Sequence, residues 1–195
     1  MEEDLNPDPI ERFRQWLRLA EESEPNDPNA AALATTTADG HPSVRMVLVK
    51  RVDARGFGFF TNSESQKGIQ LAENPRAGLC FHWKTLRRQV RVEGSVTEID
   101  SHEVDTYFHS RSRNSQISAA VSAQSRPLQS REQLVGEVKR FAEEHTGEIP
   151  RPERWRGYCV SADQIEFWMS GQDRLHDRVI FTRSGAGWTW TKLYP

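Results

Sequence analysis

Cysteine is scarce. Cys80 and Cys159 are the only two in 195 residues, so the chain has no disulfide framework and no close Cys and His spacing of the kind that holds zinc. Both lie in strand-like contexts, AGLCFHW and GYCVS, and are expected as reduced, buried thiols. Long apolar runs are missing too: none approaches the roughly 20 residues that a membrane helix needs. The opening MEEDLNPDP is acidic where a signal peptide is basic and then apolar. The expectation is a cytoplasmic protein with no membrane partner. Neither sign of charge dominates, with 26 Lys and Arg against 28 Asp and Glu and a net charge of -2. That excludes the broad basic field of a nucleic-acid binder, so any anion must be met locally. A Gly-rich phosphate loop, a nucleophile elbow and an HExxH motif are all absent, which leaves hydrolase and metalloenzyme chemistry unsupported and no metal site expected.

What is present reads as one domain over residues 1–195, with a helical segment at 1–26 and a strand-rich remainder at 27–195. Asp8 and Pro9 suit the cap and first position of a helix in which Ile10, Phe13, Trp16, Leu17 and Ala20 recur at helical spacing. Short β-rich runs follow, AALATTT, SVRMVLVKRV and FGFFT, separated by ADGHP and DARG, as in consecutive antiparallel strands. A short helix is expected after Thr61, capped by Ser or Asn and closed before Pro75. In RRQVRVEGSVTEI, Val90, Val92 and Val96 alternate against Gln89, Arg91 and Glu93, which gives one core face and one wet face. SHEVDTYFHS and SQISAAVS read as short helices. SREQLVGEVKRFAEEH has the best helical pattern, with Ser130 and Gln133 as a capping box and Leu134, Val138 and Phe141 down one face. RGYCVSA, QIEFWM, RVIFTR and WTWTKL return to strands. With no βαβ alternation and no repeat, the fold class is α+β, an antiparallel barrel with helices packed outside.

Several polar residues stand where propensity alone would not put them. Arg45 and Lys50 bracket an apolar run and, five apart in an extended strand, face opposite sides; either could equally be a strand-end charge reaching water. Thr61, Ser65 and Lys67 follow a strand and open a helix, where free N–H groups favour a phosphate. Tyr107, Arg111 and Ser115 recur every four residues, so one continuous helix would align a phenol, a guanidinium and a hydroxyl. Gln89, Gln124 and Ser125 read equally well as surface residues. In RLHDR, an extended backbone would put Arg174, His176 and Arg178 on one face.

Taken in order, RMVLVK, FFTNSESQKG, LRRQVRVEG, YFHSRSRNSQI, VSAQSRP and QIEFWMSGQDRLHDR resemble the motif series of the pyridoxine/pyridoxamine 5′-phosphate oxidases, from about Asp27 to the final LYP. The resemblance implies an antiparallel split β-barrel homodimer that binds FMN between subunits. It implies oxidation of pyridoxamine 5′-phosphate or pyridoxine 5′-phosphate to pyridoxal 5′-phosphate, with dioxygen reduced to hydrogen peroxide. It also assigns residues. The FMN phosphate and ribityl chain would meet Arg45, Thr61, Lys67 and Ser125, beside Phe60, Gln66 and the backbone of Met46, Val47, Leu48, Val49 and Lys50. Gln89, Gln124, Trp168 and Arg178 would surround the flavin ring. Lys50, Tyr107, Arg111 and Ser115 would hold the substrate phosphate. Arg174, Leu175 and His176 would cover the pyridine, with Arg174 and His176 as catalytic residues and proton transfer left to His176 or water. Two departures stand out: Gln66 replaces a second basic residue common in the family, and the acidic opening lacks the basic segment that many relatives carry. A phenazine-type oxidase on the same barrel and a non-catalytic carrier of FMN or pyridoxal phosphate are the rival readings.

Overall fold

Asp8 does cap the first helix. In the computed structural model, which describes residues 8–195, its carboxylate accepts the Ile10 N–H at 2.9 Å. Pro9 then starts α1 (Pro9–Ser23). The apolar stripe of α1 closes over the barrel interior: Ile10, Phe13, Trp16 and Ala20 are buried, and the Phe13 ring centroid lies 4.9 Å from Phe57 and 4.7 Å from Phe81. Arg12 is buried on the same helix, its guanidinium carbon 4.8 Å from the Phe167 ring centroid, as weakly hydrated guanidinium groups tolerate.

The strands are β1 (Ala30–Thr36), β2 (Pro42–Asp53), β3 (Gly56–Asn62), β4 (Arg76–Trp83), β5 (Arg88–Glu98), β6 (Trp155–Met169), β7 (Asp177–Ser184) and β8 (Gly187–Lys192), all paired antiparallel. Their order is β3-β2-β1-β4-β5-β6-β7-β8, and a further β3–β6 pairing closes the first six into a barrel. The α+β split barrel is therefore as expected. Alternation on β5 holds, with Val90, Val92 and Val96 in the core.

One expectation fails at β6. RGYCVSA and QIEFWM are a single strand of 15 residues, not two. Its first half pairs with β3 through Val160 and its second half with β7 from Gln164, so one strand serves both the barrel and the β7–β8 extension. The change of partner falls where the register against β5 shifts, between Glu93 and Gly94. A Cβ on Gly94 would lie 2.0 Å from the Ser161 carbonyl oxygen. The close approach that bends the strand is open only to glycine.

The helices α2 (Gln66–Glu73), α3 (Ser101–Ser110), α4 (Arg113–Val121) and α5 (Arg131–Glu144) lie outside. A second apolar cluster, built on Val104, Phe108, Ile117, Ile149 and Trp155, fixes α3 and α4 to the barrel wall. The Ser130 hydroxyl caps α5 by accepting the Gln133 N–H at 3.1 Å. No residue of α5 is fully buried; Val138 and Phe141 only lean on the second cluster. Strong periodicity here marks an outer layer.

Candidate active site

Lys67 shows how the site is built. The Ser65 hydroxyl caps α2 by accepting the Gly68 N–H, which places Lys67 in the first turn. Its ammonium donates to the hydroxyls of Thr61 and Ser65, each at 3.1 Å. It is buried, and burial, with the nearby charge of Arg45 adding to it, pulls its pKa down to about 8. Thr61 donates its own hydroxyl to the Gln124 amide oxygen at 3.2 Å. Arg45 faces the other side of β2 from Lys50, as strand parity requires. Its guanidinium donates to Thr35 Oγ1 at 2.5 Å and to Gln70 Oε1 at 3.4 Å.

Above these residues opens a cavity of about 440 Å³ lined by Met46, Val47, Leu48, Lys50, Phe60, Thr61, Lys67, Tyr107, Arg111, Ser115 and Gln124. Two residues that the sequence did not single out, Ser112 and Trp155, complete the lining. A second cavity of about 310 Å³ shares Phe60, Thr61, Arg111, Gln124 and Trp155. Phe60 and Trp155, which line both, belong to one aromatic stack, with the Phe60 ring 4.1 Å from Tyr107 and 5.4 Å from Trp155.

Tyr107, Arg111 and Ser115 do meet, but not on one helix. α3 stops at Ser110, Arg111 is extended (φ -76, ψ 155), and Ser112 caps α4 by accepting the Ser115 N–H. The cap breaks the four-residue spacing, and the chain turns around the cavity instead of running past it. Arg111 lies with its guanidinium carbon 5.0 Å from the Trp155 ring centroid, and its buried Nη1 has no hydrogen-bond partner. Burial lowers its pKa, against the opposing pull of Tyr107. A buried guanidinium nitrogen without an acceptor, near a buried ammonium and four hydroxyls, suits phosphate oxygens.

The RLHDR motif departs further from its expected extended form. Residues 172–174 make a short 3-10 turn, Asp173 and Arg174 have positive φ (51 and 65), and β7 begins only at Asp177. The turn is set by Gly171, where a Cβ would lie 1.9 Å from the Leu175 carbonyl oxygen. Arg174 and His176 therefore do not share a strand face with Arg178. Arg174 and Leu175 are exposed. His176 lies 4.7 Å from the Trp168 ring, and its Nδ1 accepts the Gly171 N–H at 3.3 Å. With Nδ1 accepting, the neutral ring carries its hydrogen on Nε2, as a donor.

Gln89, Trp168 and Arg178 lie outside the cavity, on the outward face of β5–β6–β7, where Gln89 pairs with Trp168 and Trp168 with Arg178. Within one chain the expected site residues thus fall into two groups, one around Lys67 and Arg111 and one around Trp168. Ser125 (φ 70) is exposed, and Gln66, also exposed, donates to the Ser43 hydroxyl at 3.3 Å; neither lines the cavity. The most buried carboxylate of the second group, Glu166, was missed, because a lone acid inside QIEFWM gives no periodic signal.

Residues 19–145 match the family model described as pyridoxamine 5′-phosphate oxidase. Residues 155–195 match the one described as pyridoxine 5′-phosphate oxidase C-terminal dimerisation region. A pyridoxine/pyridoxamine 5′-phosphate oxidase of Gluconobacter oxydans is 53% identical over 98% of this chain and 96% of its own length. One from Anaeromyxobacter dehalogenans is 54% identical over 97% and 96%. Among solved structures, PhzG from Burkholderia lata, in complex with tetrahydrophenazine-1-carboxylic acid, superposes with a TM-score of 0.93 at 33% identity over 99% of this chain and 95% of its own.

Proposed function

The chain belongs to the pyridoxamine 5′-phosphate oxidase family, and from that premise we propose that it oxidises pyridoxamine 5′-phosphate and pyridoxine 5′-phosphate to pyridoxal 5′-phosphate. FMN is the cofactor and dioxygen the final acceptor, reduced to hydrogen peroxide; with the amine substrate, water hydrolyses the imine formed by oxidation and ammonia leaves. The observation that carries this reading is the pair of cations lining one cavity with Thr61, Ser112 and Ser115: Lys67, which is buried, and Arg111, which is half-buried with its Nη1 out of solvent. A phosphorylated ligand gives Arg111 Nη1 an acceptor and the Lys67 ammonium, bonded only to hydroxyls among the described residues, a counter-charge.

The enzyme works as a homodimer. On β2, Val44, Met46 and Leu48 are exposed at 67%, 63% and 40%. They stand opposite Ala34, Ala32 and Ala30 of β1, a flat apolar face of the kind a second copy covers. Met46 and Leu48 also line the cavity, so a partner seated there would close over its mouth. The chain acts as one domain in the cytoplasm, where its two free thiols stay reduced.

The residues divide the work. Lys67, Thr61 and Arg45 hold the FMN phosphate and ribityl chain, with Ser125 and Gln66 at the rim. Gln89, Gln124, Trp168 and Arg178 surround the ring, and the β2 backbone from Met46 to Lys50 runs beside it. Lys50, Tyr107, Arg111 and Ser115 hold the substrate phosphate, and Arg174, Leu175 and His176 cover the pyridine. Bound flavin supplies the two-electron chemistry; the protein supplies placement. With Nδ1 occupied by Gly171, His176 donates a hydrogen bond to the substrate, so the proton released in the reaction goes to water.

The test is spectroscopic. Purified protein should be yellow, bleach when pyridoxamine 5′-phosphate is added without oxygen, and form aldehyde in air. Yellow protein that pyridoxamine 5′-phosphate does not bleach would favour the carrier or a phenazine-type oxidase, the latter kept in view by the PhzG likeness. Protein that takes up no FMN would end the reading. Arg174→Ala and His176→Ala should each lower turnover more than about tenfold, roughly 1.4 kcal/mol.

A further inference from the structure

Glu166 is one of the few charged side chains that the fold buries, at 4% exposure. It points outward from β6, beside Trp168 and between two arginines on the flanking strands. Its Oε1 accepts from Arg178 Nε at 2.8 Å, and its Oε2 accepts from Arg91 Nη2. Arg178 has a second anchor: its Nη1 donates to the Tyr194 carbonyl at 2.8 Å, and the Leu193 N–H, bonded to the Arg178 carbonyl at 3.0 Å, ties the last residues alongside. Arg178 Nη2 makes no hydrogen bond among the described residues. A guanidinium is planar, so fixing two of its nitrogens fixes the plane and the direction of the third. Burying a carboxylate is costly, and a well-packed apolar residue would serve stability as well or better. A role in orientation accounts for its presence.

We propose that Glu166 and the Tyr194 carbonyl form a two-point clamp that positions Arg178 against the flavin ring, and that Glu166 sets part of the charge the ring experiences. The inference rests on the assignment of Arg178 to the flavin under Proposed function. Arg91, Glu166 and Arg178 together carry +1 (two cations, one anion). Glu166→Gln leaves +2, favours the extra negative charge of the reduced cofactor, and loosens the Nε anchor. Glu166→Asp keeps the charge but shortens the reach.

The experiment uses FMN-loaded wild type, Glu166→Gln and Glu166→Asp. In Glu166→Gln the preference for reduced over oxidised flavin should rise about tenfold, about 30 mV in the two-electron midpoint potential. Its kcat with pyridoxamine 5′-phosphate should fall at least tenfold, with KM within about twofold. Glu166→Asp should return the potential to the wild-type value. A wild-type potential in Glu166→Gln, even with lowered melting temperature, would make Glu166 merely structural and overturn the clamp. If Glu166→Gln does not fold, a chain ending at Leu193 removes the other anchor from an exposed tail, Tyr194 being 94% exposed; it should lose at least tenfold in kcat at unchanged KM, and wild-type kcat would overturn the proposal. Wild-type protein that takes up no FMN would overturn the functional reading, and the clamp with it, before any variant is made.

Discussion

The Lys67 ammonium donates to the Thr61 hydroxyl at 3.1 Å, and no carboxylate pairs with it among the described residues. Its pKa is lowered to about 8 by burial and by Arg45, so with Lys67 on the FMN phosphate, as proposed, FMN binding should depend on pH. A bound phosphate holds Lys67 protonated, so its pKa is higher in the complex than in the free protein. Affinity is then complete below about 8 and falls as pH rises through that value, roughly tenfold between pH 7 and 9. Titrating flavin fluorescence against pH checks this, and Lys67→Arg, always charged, should flatten the profile. Stability of the flavin-free chain has the opposite sign. Charged, buried Lys67 opposes folding in full below about 8, and that opposition fades as pH rises toward the free lysine value of about 10.4.

With Arg111 on the substrate phosphate, as proposed, it should separate phosphorylated from plain substrates. Its buried Nη1 has no partner in the fold, and charge-assisted hydrogen bonds contribute about 1.5–3 kcal/mol. Arg111→Ala should therefore raise KM for pyridoxamine 5′-phosphate by roughly 10- to 100-fold and leave FMN affinity nearly unchanged. Turnover of unphosphorylated pyridoxamine should barely respond. Equal losses with both substrates would remove Arg111 from the phosphate site.

The barrel's division at β6 depends on Gly94. A methyl there would meet the Ser161 carbonyl at 2.0 Å, inside a ladder that cannot move without breaking β5–β6 pairing. Gly94→Ala should cost about 3 kcal/mol or more, read as a lower denaturation midpoint. Gly136→Ala is the control: it lies in α5 with open space around it and should be neutral or stabilising, since alanine favours helix by about 1 kcal/mol.

Local signals carried the parts of the fold that answer to period and cap. The Asp8, Ser65 and Ser130 caps form as their sequences imply, and the valine alternation of β5 gives the correct core face. The parity of Arg45 and Lys50 places them on opposite sides of β2. What periodicity could not show is where a period is interrupted for function. Ser112 breaks the helix that would have aligned Tyr107 with Arg111 and Ser115, and a capping serine looks like any other serine in HSRSRNSQ. Gly171 and two residues of positive φ replace an extended RLH, although the alternation of charges suggested a strand. Glu166 and Trp155 are set by pairing across strands distant in sequence, which no local window contains.

Gly171 offers the sharpest separation between stability and catalysis. The turn it allows is at the surface: Asp173, Arg174 and Leu175 are exposed, and none belongs to either apolar cluster. Its N–H nonetheless holds His176 Nδ1, and a Cβ would strike the Leu175 carbonyl at 1.9 Å. Gly171→Ala must therefore open the turn that carries both Arg174 and His176 while leaving the barrel's core packing untouched. The expected result is a melting temperature within a few degrees of wild type, normal FMN uptake, and a loss of kcat of at least tenfold, because misplacing orienting groups by about 1 Å costs on the order of 100-fold. His176→Ala should then add little to Gly171→Ala, since the second change removes a group that the first has already displaced. Full additivity of the two losses would mean that Gly171 acts elsewhere and that the N–H bond to Nδ1 does not orient the ring.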